Sequence, residues 1–109
     1  MPVDPDVRAV LLRAADLVER GWCQGGTGAE TKHGDETEAT SENAVSFCAL
    51  AAIENAAFAV GNVCLPREVE NALIQVTGPG VIHWNDAPGR TQAEVVSALR
   101  RAAGGEDAK

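Results

Sequence analysis

Cysteine, histidine and a nearby amide or carboxylate are the residue types of thiol-dependent acyl transfer, and this 109-residue chain holds them at Cys23, His83, Asn85 and Asp86. In that chemistry a thiolate attacks a carbonyl carbon, histidine moves the proton, and a third group orients the imidazole. Cys23 is the candidate nucleophile, His83 the base, and Asn85 or Asp86 the orienting partner. The setting opposes the assignment. Cys23 follows the C-terminal end of a predicted helix, where the dipole disfavours a thiolate, whereas activated cysteines commonly sit at helix N-termini. Trp22 and Trp84 immediately precede Cys23 and Asn85, and these four with Asp86 are the candidate binding residues. Simpler structural roles compete at each position: a ring directly after a helix stop covers the helix end, while Asn and Asp bond nearby backbone in turns. Catalysis therefore ranks below binding, and the expected role is a small module for protein interaction or ligand binding.

Metal chemistry has less support. Cys23, Cys48, Cys64, His33 and His83 lack the paired spacing of a zinc site, and Cys48 falls in an apolar run where cysteine behaves as a small hydrophobe. The run Thr31-Lys32-His33-Gly34-Asp35-Glu36 follows no calcium-loop pattern and reads as a solvated face. No metal and no cofactor are expected.

Four predicted helices must position these residues. The first starts at Asp4 as N-cap with Pro5 in the first turn, runs to about Arg20 on a stripe of Val7, Val10, Leu11, Ala14 and Val18, and stops at Gly21 in a left-handed conformation. Residues 25–40 have no apolar period and many carboxylates, and are expected as a mobile acidic loop. Ser41 is the expected N-cap of a second helix reaching Val60, apolar on several faces and hence central, before Gly61-Asn62 stops it. Leu65-Pro66 opens a third with Val69, Ala72, Leu73 and Val76 on its buried stripe. Thr77-Gly78-Pro79-Gly80 breaks it. Pro-Gly turns at 79–80 and 88–89 bracket Val81 to Trp84, which have extended character and are expected as a strap across the helices or a strand paired across a dimer. Thr91 and Glu94 form a capping box for the last helix, whose inner face is Val95, Val96, Leu99, Ala102 and Ala103; a frayed tail at 104–109 follows. The fold class is all-α: a small bundle of about four helices with a short extended segment near 81–84, in one domain spanning 1–109.

Composition narrows the partners. Sixteen acidic against nine basic residues give a net charge of −7, which opposes binding to a phosphate backbone, so nucleic acid is excluded as a partner. No signal-peptide pattern and no membrane-spanning apolar run is found, and three scattered cysteines fit a reducing compartment, so a cytoplasmic protein is expected. With two Trp, two Phe and no Tyr, the core must be assembled from Ala, Val, Leu and Ile, which favours closely packed helices. The expected partner is another protein or a second copy in a homodimer.

The pieces Gly21-Trp22-Cys23-Gln24-Gly25, Ala44-Val45-Ser46-Phe47-Cys48 and Trp84-Asn85-Asp86-Ala87-Pro88-Gly89-Arg90-Thr91 with Glu94-Val95 occur in this order. Over about Arg8 to Ala103 the chain resembles a family of small bacterial and phage proteins of unknown function. The resemblance implies no activity, cofactor or site role. The chain departs from the family's pattern at Ala49-Leu50-Ala51-Ala52, where a glycine is expected.

Overall fold

The computed structural model describes residues 4–25, 28–61 and 66–104. Expectations for Asn62, Cys64 and Leu65, and for the tail beyond Gly104, fall outside the described residues. Among those described are five helices, α1 (Pro5–Arg20), α2 (Ala49–Ala59), α3 (Pro66–Thr77), α4 (Val81–Asn85) and α5 (Gln92–Ala102), and two short strands, β1 (Ala29–Glu30) and β2 (Ser46–Phe47). The protein is a mostly helical small domain, as its apolar periods require. No described helix is long and apolar enough to cross a membrane.

Helix α1 starts as predicted. The Asp4 side chain accepts from the Asp6 N–H at 2.8 Å, and Val7, Val10, Leu11, Ala14 and Val18 are buried. It packs against α2, α3 and α5, so the core is shared around α1 rather than centred on the second helix alone. Leu11, Ile53, Leu73 and Leu99 contribute its largest fully buried apolar side chains, one from each long helix. At the far end of α1, Gln92 Nε2 donates to the Val18 and Glu19 carbonyls at 2.7 and 3.2 Å, so a side chain from the start of α5 satisfies two orphan acceptors.

Three expectations are corrected. Gly21 is extended, with φ −168° and ψ 126°, instead of left-handed. Glycine is needed there for close approach, since a Cβ would stand 2.2 Å from the Val45 carbonyl oxygen. The second helix begins at Ala49, not near Ser41. Ser41 does act as a local cap, accepting from the Asn43 N–H at 3.1 Å, but only over a turn, because the chain then pairs as a strand: β2 lies antiparallel to β1, with Ala29 opposite Phe47 and Glu30 opposite Ser46. Cys48 is the true N-cap of α2, its sulfur accepting from the Ala51 N–H at 3.4 Å.

The third correction concerns residues 81–84, expected as extended and found as the first four residues of α4. Gly80 is left-handed at φ 81°, and the Trp84 and Asp86 N–H groups donate to the Gly80 and Ile82 carbonyls at 2.9 and 3.0 Å. Branched and aromatic residues favour strands, but tertiary burial overrides that preference. Val81 and Asn85 are both buried while His83 midway between them is exposed, a pattern that helical spacing gives and a strand, which would put all three on one face, does not. The turn before α5 forms as expected, with Gly89 at φ 84° and the Arg90 N–H donating to the Ala87 carbonyl at 3.0 Å. The capping box at Thr91 and Glu94 is present with both of its bonds.

Candidate functional site

Asn85 gathers the sequence-predicted residues. It is the buried polar residue of the described chain, 0% exposed at the end of α4, and its amide is fully used. Oδ1 accepts from Trp22 Nε1 at 2.9 Å and from the Ala49 N–H at 3.0 Å. Nδ2 donates to the Cys23 carbonyl at 3.2 Å and to Asp86 Oδ1 at 2.9 Å. Two acceptor and two donor bonds are all that a side-chain amide makes. The group therefore ties three places together: the segment after α1, the start of α2 and the end of α4.

Neighbouring bonds extend the seam. Gln24 Nε2 donates to the Asn85 and Ala87 carbonyls at 2.9 and 3.2 Å, and Asp86 Oδ1 accepts from the Gly25 N–H at 2.9 Å. On its other side the segment is held to β2, where the Phe47 N–H donates to the Gly21 carbonyl and the Cys23 N–H to the Phe47 carbonyl, at 3.0 and 3.3 Å. Residues 21–25 thus form a strap bonded along both edges. Gln24 was missed as a member of this group; its place within Trp-Cys-Gln-Gly was the available signal.

The remaining candidates lie elsewhere or in settings that oppose catalysis at neutral pH. His83 is exposed and stands two residues before Asn85, which on a helix places it on a different face from the amide. Trp84 is half-buried beneath Arg90, whose guanidinium lies 4.0 Å from the ring centroid while its Nε donates to the Trp84 carbonyl at 2.8 Å. The Cys23 thiol donates to the Gly28 carbonyl at 3.6 Å. Its pKa is pushed up to about 12, first by burial and then by the negative charge of Glu30, Cys48 and Asp86. A thiol so placed stays protonated at neutral pH, opposite to what nucleophilic attack requires. Among the described residues, no three His, Cys, Asp or Glu side chains gather as a metal site.

Open surface is found away from the seam. Glu36, Thr37, Glu38, Ala39 and Thr40 line a groove of about 580 Å³ together with Glu54 of α2. Its wall is pinned: Asn55 Nδ2 donates to the Ala39 carbonyl at 2.8 Å, Ala39 is buried, and the Thr37 N–H donates to the Ala29 carbonyl at 3.0 Å. Glu54 is exposed, and Phe58, one helical turn further along α2, is 59% exposed. Among the described residues, no cation pairs with Glu36, Glu38 or Glu54. Residues 36–40 belong to the stretch 25–40 expected as a mobile acidic loop, and the bonds made by the Thr37 N–H and the Ala39 carbonyl have no side-chain pattern in the sequence.

A family model described as "Family of unknown function (DUF6197)" matches residues 2–104, and the chain belongs to that family. No curated protein and no solved structure matches it.

Proposed function

We propose that this member of the DUF6197 family is a protein-interaction module that binds a basic, amphipathic segment of a partner protein along the groove between residues 36–40 and α2. The reading rests on one juxtaposition. Glu54 and Phe58 share the outer face of α2, four residues apart, and Glu54 faces the groove with Glu36 and Glu38. Carboxylates that no described cation pairs with, beside an exposed aromatic ring, complement a helix or extended segment carrying Lys or Arg on one side and an apolar residue on the other. A partner of opposite charge is favoured over a second copy, because two chains of net charge −7 repel at ordinary ionic strength. The odd cysteine count supports a reducing, cytoplasmic setting for this interaction.

Fluorescence anisotropy with a labelled Lys/Leu peptide of helical spacing tests the proposal. Binding is expected to weaken with added salt and with Glu54→Lys, and Phe58→Ala is expected to weaken it at all salt concentrations. Each of Glu36→Gln and Glu38→Gln should cost on the order of 0.5–1 kcal/mol. Binding unaffected by Glu54→Lys would overturn the assignment of the groove, and a stable dimer by light scattering would favour a second copy as occupant.

A further inference from the structure

Trp22 and Phe47 form a parallel bridge, held by the Phe47 N–H to the Gly21 carbonyl and the Cys23 N–H to the Phe47 carbonyl. The next residue on each side of that bridge is a cysteine. Side chains alternate along extended chain, so Cys23 and Cys48 project to the same side, away from Trp22 and Phe47, with neighbouring chains about 5 Å apart. That separation lies within the Cα range that a disulfide spans. Gly28 confirms the convergence. Its carbonyl accepts from the Cys23 thiol at 3.6 Å and from the Cys48 N–H at 2.6 Å, and a Cβ at Gly28 would stand 2.8 Å from the Cys48 sulfur. Glycine at position 28 leaves the Cys48 sulfur room beside the carbonyl that the Cys23 thiol contacts.

We propose that Cys23 and Cys48 form a reversible disulfide, made by exchange with a low-molecular-weight disulfide, which fastens the strap of residues 21–25 to the start of α2. Cys23 is the less buried of the two and reacts first. Its thiolate attacks one sulfur of the small disulfide, the small disulfide's S–S bond breaks, and one small thiol leaves after taking up a proton. The Cys48 thiolate then attacks the Cys23 sulfur of the mixed disulfide, forming the Cys23–Cys48 bond and releasing the second small thiol. The protein loses two electrons and two protons; the small disulfide gains both. Excess small thiol reverses the sequence. The raised pKa of both thiols makes the exchange slow at neutral pH and faster as pH rises. None of this depends on the groove.

The test is incubation of the full chain with excess oxidised glutathione, followed by peptide mapping without reductant and by thermal melting. The expected product is an intramolecular Cys23–Cys48 link, with a melting temperature raised by roughly 10 °C, the scale expected for closing a loop of this length in a domain of this size. Dithiothreitol should return the original value, and Cys23→Ser should show no rise. Glutathione retained on Cys23 as a mixed disulfide, a link to Cys64, a link between two molecules, or a Cys23–Cys48 link that leaves the melting temperature unchanged would each overturn the proposal.

Discussion

Replacing Asn85 with alanine strips the partner from Trp22 Nε1 and from the Ala49 N–H at once. Leaving buried donors unsatisfied costs about 1–3 kcal/mol each, so Asn85→Ala should lower stability in urea by roughly 3 kcal/mol or more. Asn85→Asp should also destabilise, because a carboxylate cannot donate to the Cys23 carbonyl or to Asp86. A role confined to ligand contact would leave the urea midpoint unchanged. Cys23 supplies a second prediction. The folded chain keeps the thiol proton up to about 12, while the unfolded chain loses it near the ordinary value of 9. Between those values the native state binds more protons, so stability falls as pH rises across that window and is unaffected by this group below it. Cys23→Ser should flatten that fall, and iodoacetamide should alkylate Cys23 of the native protein far more slowly at pH 7 than after unfolding.

Among the elements, α5 has the most explicit start, and its box can be dismantled one bond at a time. Thr91→Ala removes the acceptor for the Glu94 N–H and should cost about 1 kcal/mol. Glu94 has a lowered pKa, chiefly because its carboxylate accepts from the Thr91 N–H, so its contribution is present at neutral pH and lost as the solution is acidified below the ordinary carboxylate range. The stability difference between wild type and Glu94→Gln, followed by urea melts, should therefore shrink at low pH. Elements announced by local chemistry were legible in the sequence: Asp4 and Pro5 for α1, Pro66 for α3, Thr91 and Glu94 for α5, and Gly89 for the turn before it. Elements set by distant partners were not. Ser46 and Phe47 leave the helical pattern because they pair with Ala29 and Glu30. Residues 81–84 become helical because Val81 and Asn85 are buried while His83 between them stays in solvent, and no local spacing announces an amide that satisfies Trp22, some sixty residues earlier. The identities of the seam residues Trp22, Cys23, Asn85 and Asp86 were readable, but their joint role required the fold.

At the scale of the whole molecule, polar side chains divide between two duties. Those along the seam are spent on one another and on backbone: among the described residues no buried side-chain nitrogen or oxygen lacks a partner. Around the groove, Glu36, Glu38 and Glu54 are exposed, and no cation among the described residues pairs with them. Binding at the groove should thus be separable from stability, and Glu54→Lys should leave the urea midpoint within about 0.5 kcal/mol of wild type, as for most surface substitutions. The most direct test is a titration of isotope-labelled protein with the Lys/Leu peptide, followed by amide chemical shifts. Shifts concentrated at residues 36–40 and around Glu54 and Phe58, with the Trp22 indole signal unmoved, are the predicted result. Shifts centred on Trp22, Cys23 and His83, with residues 36–40 unmoved, would contradict it.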